Sequence, residues 1–257
     1  MIVSNTKANI YINSLLQYTS DYKDNIEAII IFGSQARNNA NNHSDVDILI
    51  VLKSLNKTVI EDLISRLRFL EIEFNYSRKP TNPIELFLNY LNIATGMFRS
   101  WFICTKEDLI NGNFSKITST NKLLVKIFVP AKLILFNIKK DGKVIFGDIN
   151  FVKQLPVTLK PKNQPFRSFF LNEIIALGGL ILAPLTKLGQ KYSIESIKWS
   201  MFLIENSNLK EKKFGLKLRN RIEFYKSVKV SNRNNPFLSI IAPFLVLELH
   251  MLVLKHH

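Results

Sequence analysis

The fold is decided by Ile29-Ile30-Ile31-Phe32-Gly33-Ser34-Gln35-Ala36-Arg37, followed after a short polar stretch by Asp45-Val46-Asp47-Ile48-Leu49-Ile50-Val51. The two apolar runs are rich in β-branched residues and predict two strands. The Gly-Ser pair and the polar residues 38–44 between them predict a turn and a loop. Because side chains alternate along a strand, we expect both aspartates on one face, with Val46 and Ile48 on the buried one.

The two aspartates predict a metal site. Neighbouring carboxylates raise each other's pKa unless a cation neutralises them, and their hard oxygen atoms suit Mg²⁺ or Mn²⁺. Gly33 permits a turn that other residues resist, and a Gly-Ser turn that leads into a helix directs N–H groups and a hydroxyl at an anion such as phosphate. The open alternative is an edge strand whose acids are solvated.

Glu85 is the predicted third acid. It lies in Pro83-Ile84-Glu85-Leu86-Phe87-Leu88, which has the same apolar-acid-apolar pattern as the second strand and predicts another strand. A carboxylate within reach of a hydroxyl acts as its general base. Glu71 and Glu73 compete for this role, and a surface position for Glu85 remains an alternative.

The pair Gly33-Ser34, ten intervening residues, Asp45-x-Asp47 and the later Glu85 resemble the polymerase-beta-type nucleotidyltransferase superfamily. The resemblance covers roughly residues 25 to 90. It implies that the three acids, Asp45, Asp47 and Glu85, are catalytic and bind two metal ions, and that Glu85 deprotonates the acceptor hydroxyl or binds metal near it. It also implies that Gly33 and Ser34 bind the phosphates of a nucleoside triphosphate, ATP being the first expectation.

Arg37 occupies the position of an arginine that often contacts the triphosphate in small members of this superfamily. Many relatives have glycine after that arginine, whereas this chain has Asn38-Asn39. The alternative for Arg37 is a solvated loop residue.

Charge is distributed unevenly along the 257 residues. Residues 1–115 contain 11 Lys+Arg and 12 Asp+Glu, a net of about −1, whereas residues 116–257 contain 24 and 8, a net of +16. A positive field attracts a triphosphate, and this magnitude favours a larger polyanion such as RNA as a partner. A solvated lysine-rich surface is the alternative.

The remaining sequence predicts an α+β (α/β) catalytic domain with a small mixed sheet over 1–150, a linker over 151–165 and an α-helical bundle domain over 166–257. Helical periodicity or composition predicts helices at these positions: Val59–Phe69, Leu91–Phe102, Asn121–Ile138, Phe166–Leu188, Ser193–Ser207, Lys212–Val228 and Pro236–Lys255. Thr105 is the predicted cap of a further short helix, and Lys143–Gly147 is a predicted strand.

Gly189–Trp199 resembles a phrase in the helical domain of aminoglycoside adenylyltransferases. The resemblance implies that Lys191 and Lys198 contact the triphosphate, a solvated helix face being the alternative. Aminoglycosides are cationic, so the basic second half argues against such an acceptor.

Neither apolar stretch of the second half predicts a membrane span. Ile174–Thr186 is too short, and Phe237–Leu254 is interrupted by Pro243, Glu248 and His250. The second stretch predicts a buried helix or a homo-oligomer interface. With one cysteine, Cys104, and no signal-peptide pattern, we expect a cytoplasmic protein.

We therefore predict a two-metal nucleotidyltransferase that transfers a nucleoside monophosphate to a hydroxyl and releases pyrophosphate. RNA, particularly a tRNA end, or a protein hydroxyl is the expected acceptor. The alternatives are an antibiotic-type adenylyltransferase acting on a small molecule, and a non-catalytic module that retains the fold and binds nucleic acid or a partner.

Overall fold

The computed structural model describes residues 6–37, 40, 44–77, 80–95, 100–117, 122, 131–155, 164–186, 188–206 and 237–254. The chain forms two compact units. The first comprises Met1–Lys126 with Ala131–Lys160, and the second comprises Ile127–Pro130 with Pro161–His257. The domain boundaries drawn from the sequence stay a prediction, and the first part of the predicted linker contains a 3-10 helix, Phe151–Gln154, with Phe151 and Val152 buried.

A small mixed sheet lies at the centre of the first unit, as predicted. Its described strands are β1 (Ile26–Phe32), β2 (Asp47–Leu52), β3 (Trp101–Thr105) and β4 (Lys143–Gly147), arranged in the order β3-β2-β1-β4. Strand β1 runs antiparallel to β2 and β4, whereas β2 and β3 are parallel. A parallel pair needs a crossover connection, which the helical chain between β2 and β3 provides.

Helices flank the sheet. Those described in the first unit are α1 (Thr6–Tyr18), α2 (Gly33–Ala36), α3 (Lys57–Glu73), α4 (Pro83–Thr95), α5 (Lys106–Ile110), α6 (Phe114–Ile117) and α7 (Ala131–Asp141). Residues of α1 and α3 join one core with Ile29, Ile31, Ile48 and Ile50, which are fully buried. Burial of each such side chain contributes about 1.5–3 kcal/mol, and this core fixes the register of β1 against β2.

Several local predictions are confirmed and one is wrong. Helix α3 covers the predicted helical segment, and β4 is the predicted strand. Thr105 caps α5, because its Oγ1 accepts a hydrogen bond from the Asp108 N–H at 3.1 Å. The predicted helix 91–102 is wrong at its end: Trp-Phe-Ile-Cys-Thr forms β3, since aromatic and β-branched residues pair well beside a buried strand.

The described part of the second unit is helical, as predicted. Its described helices are α8 (Gln164–Leu182), α9 (Leu188–Asn206) and α10 (Phe237–Leu254). The Asn172 side-chain amide on α8 donates to Ser200 Oγ on α9 at 3.1 Å, which satisfies two buried polar groups. The predicted helix at 212–228 lies outside the described residues.

Helix α10 carries apolar side chains on its exposed face. Ile240, Phe244, Leu247 and Met251 are each at least 47% exposed. Its role as a homo-oligomer interface stays a prediction. Within the described part of the chain, no helix is both long and apolar enough to cross a membrane.

Candidate functional site

The Gly-Ser turn and the aspartate-bearing strand lie directly against each other. Phe32, the last residue of β1, is aligned with Asp47, the first residue of β2. Gly33 follows with φ of +72°, and a Cβ added to it would lie 1.9 Å from Oδ2 of Asp47. Only glycine combines this backbone conformation with the space that the Asp47 carboxylate needs. The turn and the second carboxylate are therefore one structural unit.

Asp47 is the first residue of the inner strand β2, whereas Asp45, predicted on the same strand, lies two residues before it. The predicted alternation of burial is nevertheless present. Both aspartates are partly exposed, whereas Val46 and Ile48 are fully buried. The pKa of the Tyr76 hydroxyl is raised to about 12, first by burial and then by the Asp45 carboxylate. Two hard carboxylates that remain accessible are a donor set that fits Mg²⁺ or Mn²⁺.

Gln35 is hydrogen-bonded to Ser44, the residue before Asp45, and the sequence pattern does not single it out. Its side chain is 1% exposed, and Nε2 donates to the Ser44 carbonyl at 3.4 Å. This bond anchors the chain immediately before Asp45. The position of Gln35 between Ser34 and the apolar Ala36 is the sequence feature that could have indicated this role, since a buried amide requires a hydrogen-bond partner.

Ser34 and Arg37 flank Gln35. Ser34 is partly exposed within the short helix α2. Arg37 follows this helix, and its Nη1 lies 3.9 Å from Oδ2 of Asp141 at the end of α7. Such a partly exposed and long pair contributes little to stability, about 0–1 kcal/mol.

The prediction that Glu85 lies on a strand is wrong. Glu85 lies in the first turn of α4 and is 5% exposed. Its Oε2 accepts hydrogen bonds from the N–H of Thr81 at 3.0 Å and from Thr81 Oγ1 at 2.8 Å. The Glu85 N–H donates in turn to Asn82 Oδ1 at 2.8 Å. Reciprocal bonds of this kind, with a proline at the first helical position, start a helix and outweigh the strand-like apolar pattern.

Glu71, the competing acid, is linked through Ser100 to the start of strand β2, which carries Asp47. Its carboxylate accepts a hydrogen bond from Ser100 Oγ. Ser100 precedes β3, and its carbonyl accepts from the Ile48 N–H at 2.7 Å, beside Asp47. Burial, followed by the Glu71 charge, raises the pKa of Tyr11 well above its usual range. Among the described residues, no three His, Cys, Asp or Glu side chains are close enough to hold one metal ion.

Lys191 and Lys198 both lie on α9 of the second unit. Lys191 is exposed, and Lys198 Nζ forms an ion pair with Glu195 at 3.2 Å. Their predicted contact with a triphosphate stays a prediction.

The comparisons with known proteins agree with the resemblance drawn from the motifs. Residues 13–113 match the model of the family described as "Polymerase beta, Nucleotidyltransferase". Comparison with curated proteins gives no significant match.

Among solved structures, the chain is similar to spectinomycin adenyltransferase AAD(9) from Enterococcus faecialis, crystallised with ATP and spectinomycin. The identity is 15% and the TM-score 0.55, over 94% of this chain and 98% of that one. At this identity the likeness shows the fold. The predicted fold, a nucleotidyltransferase domain followed by a helical part, is confirmed.

Proposed function

We propose that this protein is a metal-dependent nucleotidyltransferase that transfers the nucleoside monophosphate of an NTP, with ATP as the first candidate, to a hydroxyl group and releases pyrophosphate. The observation that carries the proposal is the contact between Gly33 and Asp47, which joins a phosphate-binding type of turn to a pair of accessible carboxylates. The family match over residues 13–113 and the ATP-bound neighbour support the same reaction.

Asp45 and Asp47 would hold Mg²⁺ or Mn²⁺, which supplies charge neutralisation for the triphosphate and lowers the pKa of the acceptor hydroxyl. Ser34 and the turn at Gly33 would position the phosphates. Arg37 would exchange its long contact with Asp141 for the triphosphate, because a guanidinium binds a phosphate more strongly than it binds a carboxylate 3.9 Å away.

The third acid has two candidates. Glu85 is the assignment carried by the motif, and it would deprotonate the acceptor hydroxyl or bind metal. In its capped position its carboxylate already accepts two hydrogen bonds from Thr81, both at Oε2. Glu71 is the alternative. It accepts a hydrogen bond from Ser100, whose carbonyl accepts one from the N–H of Ile48, the residue after Asp47.

For the acceptor we propose RNA or a protein hydroxyl, because residues 116–257 carry a net charge of +16. A specific observation favours a small-molecule acceptor as the second candidate: the neighbour that matches this chain over nearly its whole length was crystallised with spectinomycin. A third candidate is a non-catalytic module. Absence of Mg²⁺-dependent ATP binding in a calorimetric titration would favour it.

The experiment that tests this proposal is incubation of the purified protein with α-³²P-labelled NTPs and Mg²⁺. Total RNA, cell lysate and spectinomycin are supplied separately as acceptors. We expect label from ATP in one acceptor class, no label with EDTA, and at least a 100-fold loss in Asp47→Asn. Glu61→Gln is the matched control, because Glu61 is an exposed acid on α3 that pairs with Lys57 at 3.8 Å. Transfer by Asp47→Asn at the wild-type rate contradicts the mechanism.

A further inference from the structure

A cavity of about 340 Å³ lies beside the edge strand β3, on the side of the first unit where α3 packs. Helices α3, α5 and α6 and strand β3 contribute side chains to its lining. These side chains include Ile60, Ile64, Arg68, Trp101, Ile103 and Lys116. Its volume falls within the range of about 300–1,000 Å³ that small-molecule sites occupy. The cavity is therefore large enough for a small organic ligand.

One wall of the cavity is a stripe along α3. Ile60, Ile64 and Arg68 are spaced four residues apart and lie on one face of the helix. Trp101 and Ile103 of β3, the last strand of the described sheet, also line the cavity. An aromatic ring and aliphatic side chains that line one cavity favour an apolar ligand body.

The acid of the cavity is already neutralised. Asp108 Oδ1 lies 3.2 Å from Lys116 Nζ, and its Oδ2 accepts from Thr105 Oγ1 at 2.9 Å. Burial tends to raise the pKa of Asp108, but the bonds from Thr105 and Lys116 outweigh it and lower the pKa. Asp108 therefore stays charged and does not attract a cation from solution.

Arg68 gives the lining of the cavity a net positive charge. Arg68 is exposed and, among the described residues, makes no ion pair or hydrogen bond. Together with Lys116 and Asp108 it gives the cavity a formal charge of +1 (two cations and one anion). Its planar guanidinium, at the end of the apolar stripe, suits a carboxylate in bidentate geometry.

We propose that this cavity is a second ligand site, which binds a small organic monoanion with an apolar body, such as a medium-chain or aromatic carboxylate. The body lies between Ile64 and Trp101, and the carboxylate binds Arg68. The site is separate from the aspartates: Trp101 is aligned with Ile48, whose side chain faces away from that of Asp47. The proposal does not depend on nucleotidyl transfer.

The chain offers a reporter for this site, because it contains two tryptophans, Trp101 in the cavity and Trp199 on α9. In a Trp199→Phe protein, all tryptophan emission comes from Trp101. The probes are octanoate, octanol and octylamine, which share one apolar chain and differ in the charge of the head group. Titration of each probe below its micelle concentration gives three dissociation constants.

We expect octanoate to shift the Trp101 emission with saturation and to bind at least tenfold more tightly than octanol, with octylamine the weakest. Arg68→Gln in the same background should bring octanoate to the affinity of octanol. Lys57→Gln, which removes a charge from an exposed position on the same helix, should leave the order unchanged. Ile64→Phe, which leaves Trp101 as the single tryptophan of this background, reduces the cavity and should weaken all three probes.

Three results overturn the proposal: no saturable change in Trp101 emission, equal affinity for the three head groups, or unchanged octanoate binding in Arg68→Gln. Arg68 is a surface residue whose replacement should leave folding intact. The test therefore stands even if Ile64→Phe does not fold.

Discussion

The Asp47 carboxylate lies in the space that a side chain at Gly33 would need: a Cβ on Gly33 would lie 1.9 Å from Oδ2 of Asp47. The glycine turn thus sets the position of a carboxylate on the neighbouring strand, fourteen residues later in the chain. Any side chain at residue 33 must displace that carboxylate.

Replacement of Gly33 by alanine should therefore damage the site more than the fold. The positive φ costs about 1–2 kcal/mol for a residue with a Cβ, and the clash moves Asp47 as well. Gly112→Ala is the matched control, because Gly112 has φ of +64° but its added Cβ would meet only Leu135 at 3.8 Å. Denaturant unfolding should give similar losses of stability, while calorimetry shows weaker Mg²⁺–ATP binding only in Gly33→Ala. Equal nucleotide binding by the two variants would mean that Asp47 does not need its observed position.

The third acid should be identified by paired variants. We expect Glu85→Gln to lower the transfer rate at least 100-fold if Glu85 acts as general base, and Thr81→Ala to cost only about 0.5–2 kcal/mol of stability through the lost cap contact. Glu71→Gln is measured beside them in single-turnover assays. A loss of rate in Glu71→Gln alone would reassign the role to Glu71.

The two parts of the motif differ in how far the sequence predicts them. The strand position of Asp47 and the alternating burial from Asp45 to Ile48 follow from local sequence, although Asp45 itself precedes the strand. The apolar neighbours Ile84 and Leu86 predict a strand at Glu85, yet Asn82 and Pro83 are helix-start signals that outweigh this pattern. The bond from Gln35 to Ser44 depends on the path of the loop, which no local pattern encodes.

Asp108 should make the first unit less stable in acid. Its pKa is lowered in the folded state, so its contribution to the free energy of unfolding is present above the unfolded pKa of about 4 and is lost as the pH falls through the folded value. Asp108→Asn should destabilise the protein by about 1–3 kcal/mol at pH 7 and by much less near pH 3. Urea unfolding at both pH values measures this difference. A loss of stability independent of pH would assign the effect to packing alone.

Cys104 should be unreactive in the folded protein. Burial, followed by the Asp108 charge, raises the pKa of its thiol to about 12. At pH 8 the thiolate is then roughly a thousandfold scarcer than in a free cysteine, and alkylation slows accordingly. Iodoacetamide labelling followed by mass spectrometry, with the urea-unfolded protein as control, measures the ratio. Comparable rates in the two states would contradict the buried position of Cys104.

Calorimetric titration of ATP into the protein tests the central claim most directly, because it requires no acceptor. The claim is that Asp47, held against Gly33, anchors the metal of a nucleotide site. We expect binding in Mg²⁺, none in EDTA, at least 100-fold weaker binding by Asp47→Asn and unchanged binding by Glu61→Gln. Binding of equal strength with and without Mg²⁺, or by Asp47→Asn and the wild type, would contradict it.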